Sequence, residues 1–213
     1  MKRTLSISLV LLLTACGGAS DDGGGEADTT STAGDETPRQ PITVETGSIE
    51  AALAGAQRTD EERARDAFRH PAETLEFFGL EPSMTVVEMG PGGGWYTAVL
   101  APVLRDHGTL IVATSDPEES QYARRLYDRL DAAPEVFDQV ERRLFTFPEH
   151  PSLGEPGSAD MVVTFRSTHG WINGGHAQDI YQAMFDVLRP GGVLGVVQHR
   201  ADEGADPTET SRQ

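Results

Sequence analysis

The sequence predicts an α/β fold, with a mostly parallel sheet and helices on both of its faces. Short apolar runs typical of buried strands alternate with amphipathic segments typical of helices. A glycine-rich turn follows the first of these runs, where a strand would pass into a helix. We expect one such domain over residues 42–200, which is long enough to bury a core.

The first 15 residues are typical of an export signal. Lys2 and Arg3 precede an apolar run over residues 5–13, which is too short to span a bilayer as a mature helix. The following Leu-Thr-Ala-Cys ends at Cys16 and resembles a bacterial lipobox, in which the cysteine is lipidated. We therefore expect a signal peptide over residues 1–15 and a fatty-acyl anchor on the cysteine; an ordinary secretory signal is the alternative.

Residues 16–41 are expected to form a disordered acidic linker. Glycine, serine, threonine and acids dominate this segment, so it cannot bury enough apolar surface to fold. Behind a lipid anchor it would hold the domain away from the membrane. Because Gly17 rather than an acid follows the cysteine, we expect the periplasmic side of an outer membrane, or the cell surface where there is one membrane.

Charge and composition narrow the possible partners. The chain has 17 Lys and Arg against 34 Asp and Glu, a formal net charge of −17 at pH 7. Such a protein repels phosphate backbones, which argues against nucleic acid and favours a small-molecule substrate. The single cysteine leaves no disulfide, and the six histidines lack the spacing of a zinc protease, so no metal site is predicted.

Two helices are expected before the first strand. Residues 60–69 are charged and helix-prone, and Pro71 stops that helix because the residue before proline avoids the helical region. A second helix would begin at this proline, bury an apolar side that includes Phe77, and end at Gly79. The apolar residues 84–89 then predict a buried parallel strand.

The first strand ends in a carboxylate and a glycine-rich turn. Glu88, Gly90, Gly92 and Gly94 form the pattern acid-x-Gly-x-Gly-x-Gly, which resembles motif I of the class I S-adenosylmethionine (SAM) methyltransferases. A dinucleotide site would need Gly-x-Gly-x-x-Gly, but Trp95 occupies the last of those positions. NAD is therefore the weaker hypothesis, and a plain structural turn is the other alternative.

The elements that follow are predicted from hydrophobic periodicity. Apolar residues repeating on one helical face predict helices, and short continuous apolar runs predict strands. A polar loop is expected between the fourth strand and the last helix. The expected helices cover residues 95–104, 118–130 and 180–188, with a shorter one from Pro134; the expected strands cover residues 109–113, 143–147, 159–165 and 193–197; and the loop covers residues 166–175.

Several segments between residues 60 and 200 match one family pattern. They are Arg65-Asp66-x-x-Arg69-His70-Pro71, Thr85-Val86-Val87-Glu88, Pro91-Gly92-Gly93-Gly94-Trp95-Tyr96-Thr97, Thr164-Phe165-Arg166-x-x-His169-x-Trp171 and Leu188-Arg189-Pro190-Gly191-Gly192. This combination is similar to the exported predicted methyltransferases of bacteria. The resemblance implies a Rossmann-like class I methyltransferase fold with SAM as the cofactor.

The resemblance implies a cofactor role for the motif residues. Glu88 would help hold the methionine amino end of SAM, unless it only braces the loop. Gly90, Gly92 and Gly94 would let backbone N–H groups and the helix start face the cofactor carboxylate, unless they serve turn geometry alone.

An acid after the second strand is expected to bind the ribose of the cofactor. Asp116 is the candidate, since a carboxylate can accept hydrogen bonds from both ribose hydroxyls. Glu118 or Glu119 could take that role instead, with Asp116 capping the next helix.

Two residues after the fourth strand are candidates for contacts with the methyl acceptor. His169 could take a proton from an acceptor hydroxyl or amine, and Trp171 could line the acceptor pocket. Arg166 could bind an acidic acceptor, but pairing with surface carboxylates is the favoured interpretation. Trp95 and Tyr96 are expected to pack in the core.

The sequence departs from the class I pattern after the fifth strand. Such enzymes usually continue with a helix and a final antiparallel pair of strands, whereas residues 201–213 form a polar tail. The sheet is therefore expected to lack its final strands, and the fifth strand would be an open edge. A truncated product, a covering partner or the tail itself would each account for that edge.

The predicted function is SAM-dependent methyl transfer to a small-molecule acceptor by an exported, membrane-anchored domain. The alternative is a non-catalytic binding protein of the cell envelope that retained the fold. Two points motivate this alternative: SAM is made in the cytoplasm, and the final strands are expected to be missing. No oligomeric state is predicted.

Overall fold

The computed structural model describes residues 41–200 and 203–205. The predicted signal peptide, Cys16, almost all of the linker and most of the polar tail lie outside these described residues. The strands are β1 (Thr85–Met89), β2 (Thr109–Thr114), β3 (Glu141–Leu144), β4 (Ala159–Phe165) and β5 (Leu188–Val197). They form one sheet in the order β3-β2-β1-β4-β5, and every neighbouring pair is parallel.

Helices connect three of the four successive pairs of strands, whereas the crossover from β3 to β4, over residues 145–158, contains no helix. The helices are α1 (Ile49–Ala54), α2 (Asp60–Arg63), α3 (Asp66–Arg69), α4 (Pro71–Phe78), α5 (Thr97–Leu104), α6 (Gln121–Ala132), α7 (Pro134–Phe137), α8 (Thr168–Asn173) and α9 (Ala177–Val187). None of the helices in the described part of the chain has the length and apolarity to cross a membrane.

The core lies on both faces of the sheet, because successive side chains of a strand point to opposite faces. On β1, Val86 belongs to the same buried cluster as Leu100 of α5, whereas Val87 belongs to a second cluster with Met184 of α9. All four side chains are fully buried. The predicted α/β fold with a mostly parallel sheet and helices on both faces is thus confirmed.

The helix predicted over residues 60–69 is divided into α2 and α3. The Glu62 carbonyl accepts from the Arg65 N–H at 3.2 Å and from the Trp95 indole N–H at 3.3 Å. These hydrogen bonds occupy the Glu62 carbonyl, and the helix is interrupted between Arg63 and Asp66. His70 then takes a left-handed conformation, φ 45°, before Pro71 starts α4.

The apolar side predicted for α4 is wrong at one position. Phe77 is 85% exposed, because α4 packs through Leu75 and Phe78 instead. A Cβ at Gly195 of β5 would lie 2.5 Å from the Phe78 ring, so this glycine allows α4 to approach the strand closely.

Several boundaries also differ from the sequence prediction; strand β3, for example, covers Glu141–Leu144 and not residues 143–147. The polar loop expected over residues 166–175 contains the short helix α8. Helix α6 begins at Gln121 rather than near residue 118, since the Ser120 hydroxyl caps it by accepting from the Ala123 N–H at 3.4 Å. Strand β5 begins at Leu188, which pairs with β4 ahead of a bulge.

Strand β5 is one of the two edge strands of the sheet, with β3 at the opposite edge. Within residues 41–200 and 203–205, β5 is the last strand, and it pairs with β4 alone. Val193 and Val196 are each 37% exposed there. The expected absence of further strands stays a prediction, since most of the polar tail lies outside the described residues.

Candidate functional site

A cavity of about 880 Å³ opens at the carboxyl ends of β1 and β4. Glu88 and Gly90 line it from β1 and its loop, and Phe165 and Ser167 line it from β4 and its loop. Parallel α/β sheets bind ligands at this edge, and the volume is typical of small-molecule sites.

The end of β1 presents bare backbone to this cavity. Gly92 has a φ of 61°, and a Cβ built on it would meet no atom within 4 Å. Among the described residues, no hydrogen-bond acceptor takes the N–H groups of Gly92 and Gly93. We call Glu88, Gly90, Gly92 and Gly93 the strand wall. The open backbone at Gly92 and the unpaired N–H groups of Gly92 and Gly93 fit an anionic group of a ligand lying against the chain.

Glu88 adds a buried carboxyl group to the strand wall. The side chain is fully buried, and its Oε2 accepts from the Thr97 hydroxyl at 2.6 Å. Burial raises the pKa of Glu88 to about 7, although the Thr97 hydrogen bond and the Arg129 charge act in the opposite direction. A ligand ammonium placed beside it would favour the ionised carboxylate.

The two other motif glycines serve packing. A Cβ at Gly94, where φ is 84°, would lie 2.9 Å from the Leu126 side chain, so this glycine lets α6 approach the loop. A Cβ at Gly90 would lie 2.9 Å from Ser167 Oγ, and the Gly90 carbonyl accepts from that hydroxyl at 3.3 Å. Gly90 therefore joins the ends of β1 and β4, whereas Gly94 is not among the described residues that line the cavity.

Asp116 and Trp171 are also not among the described cavity-lining residues. The Asp116 carboxylate accepts from the Glu118 N–H at 2.7 Å, within the turn that follows β2. The Trp171 ring packs edge-on against Tyr181, with 5.9 Å between ring centroids. Ribose binding by Asp116 and acceptor binding by Trp171 stay predictions.

His169 lines the cavity from the first turn of α8. Its Nδ1 lies 3.2 Å from the side-chain nitrogen of Gln198, a contact whose direction depends on the histidine tautomer. The predicted role of His169 as a base stays a prediction.

Three arginines line the same cavity: Arg65, Arg69 and Arg166. We call them the arginine wall. The sequence interpretation gave the first two no site role, and for Arg166 it favoured pairing with surface carboxylates over binding an acidic acceptor. Arg166 does not form the expected pair with a surface carboxylate among the described residues; its Nε donates to His199 Nε2 at 2.7 Å. Arg65 and Arg69 belong to a sequence segment that resembles the family. That resemblance was the signal that could have indicated a site role for them.

The indole ring of Trp95 packs against one arginine of this wall and against Arg58. The guanidinium of Arg69 lies 4.5 Å from the ring centroid and that of Arg58 lies 5.0 Å from it. Trp95 and Tyr96 are both buried, as predicted. Tyr96 stacks on Phe165 with 3.5 Å between centroids, which joins this region to the end of β4.

The described residues contain no group of three or more His, Cys, Asp or Glu side chains that could hold a metal ion.

Comparison with known proteins identifies the family. The model of the protein-L-isoaspartate(D-aspartate) O-methyltransferase family matches residues 36–146, just over half of the chain. The chain belongs to this family. The matched region includes the strand wall and Asp116 but ends before β4, so His169 and Arg166 lie outside it.

A curated relative agrees with this assignment. The protein-L-isoaspartate O-methyltransferase of Hyperthermus butylicus is 28% identical over 130 residues, which are 58% of this chain and 48% of the relative. The chain thus spans about half the length of that enzyme.

Solved structures show the same fold. A SAM-dependent methyltransferase from Aquifex aeolicus superposes with a TM-score of 0.55 at 18% identity, over 68% of this chain and 74% of the other. The YcgJ protein from Bacillus subtilis gives a TM-score of 0.51 at 14% identity, over 64% of this chain and 53% of the other. They confirm the predicted class I methyltransferase fold. Membership of the exported bacterial group stays a prediction.

Proposed function

We propose that this chain transfers the methyl group of SAM to a small-molecule acceptor. The observation that carries the proposal is the open, left-handed Gly92 beside the buried Glu88, both on one cavity of a chain in a methyltransferase family. The N–H groups of Gly92 and Gly93 suit the cofactor carboxylate, and Glu88 suits its ammonium.

The residues of this chain contribute mainly position and charge. When bound, SAM supplies a methyl carbon on a sulfonium; an acceptor atom bonds to that carbon as the carbon–sulfur bond breaks, leaving S-adenosylhomocysteine. The strand wall fixes one end of the cofactor, so that the acceptor meets the methyl group in a set direction. Alignment of this kind can supply a large share of the rate of such a displacement.

His169 would receive the acceptor proton at Nε2, which requires the tautomer with its proton on Nδ1. That proton needs an acceptor, and Gln198 Oε1 is buried without a partner in the present amide orientation. Exchanging the oxygen and nitrogen of this amide would let Oε1 accept from Nδ1 and leave Nε2 free. An unchanged methylation rate in His169→Ala would eliminate the base role.

Turnover by the full-length chain tests the proposal. The chain would be incubated with SAM carrying a tritiated methyl group and with fractionated small-molecule extract. We expect label in a fraction of the extract with wild type and none with Gly92→Val. Cofactor binding with no turnover against any fraction would favour the non-catalytic envelope binding protein instead.

We also propose that the chain is exported and anchored through a lipid on Cys16, with residues 17–41 as the tether. The charged start, the short apolar run and the Leu-Thr-Ala-Cys ending support this proposal. Intact-mass analysis of the membrane fraction is expected to show a chain that starts at Cys16 and carries fatty acyl groups. Detection of residues 1–15 on the mature chain, or an unmodified cysteine, would refute it.

A further inference from the structure

The arginine wall has no carboxylate partner among the described residues. Arg65, Arg69 and Arg166 form no salt bridge with a described carboxylate, whereas seven other described arginines do. The side chains of Arg65 and Arg69 donate to no described acceptor. In a chain with twice as many acids as bases, these three cations share one cavity.

The acids of the same cavity are already engaged. Glu62 accepts from both terminal nitrogens of Arg129, at 2.5 and 2.9 Å. Glu88 is buried against the Thr97 hydroxyl. The cavity therefore presents unneutralised positive charge beside the strand wall, and such a charge attracts an anion.

The electrostatics at Arg69 favour the binding of an anion. Burial lowers the pKa of Arg69 first, and the charges of Arg65 and Arg166 lower it further. The cations thus repel one another, and a bound anion would relieve that repulsion.

The backbone at Arg166 is held in an uncommon conformation. Its φ of 61° lies in the left-handed region that non-glycine residues avoid. The Arg166 N–H donates to the Val197 carbonyl at 2.7 Å, and its Nε donates to His199. Such strain, held by the surrounding hydrogen bonds, clusters at functional sites.

Exposed aromatic rings border the same cavity. Phe68 is 85% exposed and Tyr122 is 58% exposed, and both are lining residues. We propose that the arginine wall binds an anionic, non-reacting group of the methyl acceptor, a carboxylate or a phosphate, with the acceptor's apolar body against Phe68 and Tyr122. Arginine suits both anions because its planar fork donates two parallel hydrogen bonds. This inference rests on the proposed methyl transfer.

Three probes that share a phenyl ring test the wall: phenyl phosphate, benzoate and benzamide, the uncharged counterpart of benzoate. Binding to the full-length chain would be followed by ligand-observed NMR, with and without saturating S-adenosylhomocysteine. We expect at least one anion to bind at least about tenfold more tightly than benzamide. Preference between the two anions shows whether the acceptor group is a phosphate or a carboxylate.

Charge-removing variants locate the site. Arg69→Gln and, separately, Arg166→Gln are expected to weaken anion binding at least about tenfold and to change S-adenosylhomocysteine affinity less than about twofold. Arg142→Gln is the matched control, since Arg142 pairs with Asp131 outside the cavity. Circular dichroism shows whether each variant is folded. If one variant fails to fold, anion binding by the other variant tests the proposal.

Two results would overturn the inference. Benzamide binding as tightly as both anions would show that charge is not recognised. If both variants lost as much affinity for S-adenosylhomocysteine as for the anions, the arginines would belong to the cofactor site. Failure of S-adenosylhomocysteine to bind wild type would refute the proposed function instead, and the probes without that nucleoside would still decide the anion site.

Discussion

The strand wall and the arginine wall face one cavity but are built in different ways. The strand wall consists of neighbouring residues at the end of a buried strand, and its key carboxyl is fully buried. The arginine wall joins Arg65, just before α3, with Arg166, about a hundred residues later in the chain. One wall is a local property of the sequence, whereas the other exists only once the sheet has formed.

Substitutions at the motif glycines are expected to have the largest effect on stability. At Gly94, alanine would add the strain of a positive φ, about 1–2 kcal/mol, to overpacking against Leu126, about 1–3 kcal/mol. At Gly92 only the strain applies, since the added Cβ meets no atom within 4 Å. Urea unfolding should show Gly94→Ala to be less stable than Gly92→Ala by about 1–3 kcal/mol; equal stabilities would contradict the packing difference.

Removing the charge of Glu88 should weaken cofactor binding and have little effect on the fold. Glu88→Gln keeps the side-chain shape but loses a charge-assisted hydrogen bond, so the affinity for S-adenosylhomocysteine should fall roughly 10- to 100-fold by calorimetry. Glu155→Gln removes an equal charge from an exposed position outside the cavity. Similar losses in both variants would show that only net charge matters.

The raised pKa of Glu88 makes binding depend on pH. The ammonium of the cofactor needs the ionised carboxylate, and below the pKa of about 7 the neutral acid predominates. Affinity for S-adenosylhomocysteine should therefore fall as the pH drops below 7, approaching tenfold per pH unit, and level off above it. Glu88→Gln should remove this dependence between pH 5.5 and 8; a slope that persists in the variant would assign it to another group.

The strained backbone of Arg166 predicts the smallest effect. Since its φ is 61°, glycine should be more stable than alanine at this position by about 1 kcal/mol. Thermal unfolding of Arg166→Gly and Arg166→Ala measures the difference, because both lack the side chain. Alanine more stable than glycine would show that the left-handed conformation is absent in solution.

The fold and the strand wall were predictable because their signals are local. Continuous apolar residues predicted β1, and the glycine spacing after Glu88 predicted the open turn. The same spacing could not separate Gly92, which faces the cavity, from Gly94, which faces Leu126. That difference depends on where α6 packs.

The helix α8 and the arginine wall were missed because tertiary contacts create them. Residues 168–173 are mostly polar and lack a helical apolar stripe; the Thr168 hydroxyl meets the Tyr181 hydroxyl at 2.8 Å across to α9. Arg166 was predicted to pair with a surface carboxylate, because the sequence alone does not show how far its guanidinium lies from each carboxylate. In the structure, no described carboxylate lies within salt-bridge distance of it. Tyr96 links Arg69 to this region, since its hydroxyl donates to the Arg69 carbonyl at 3.5 Å and its ring stacks on Phe165, the neighbour of Arg166.

Calorimetric titration of S-adenosylhomocysteine into the full-length chain tests the central claim, that the cofactor lies against the bare backbone at Gly92. Wild type should bind with a Kd on the order of micromolar, and Gly92→Val should abolish binding. Gly47→Val is the matched control: Gly47 has a φ of 74° and no atom within 4 Å of its Cβ position, but lies outside the cavity lining, so its affinity should equal that of wild type. Full affinity in a folded Gly92→Val variant would contradict the account.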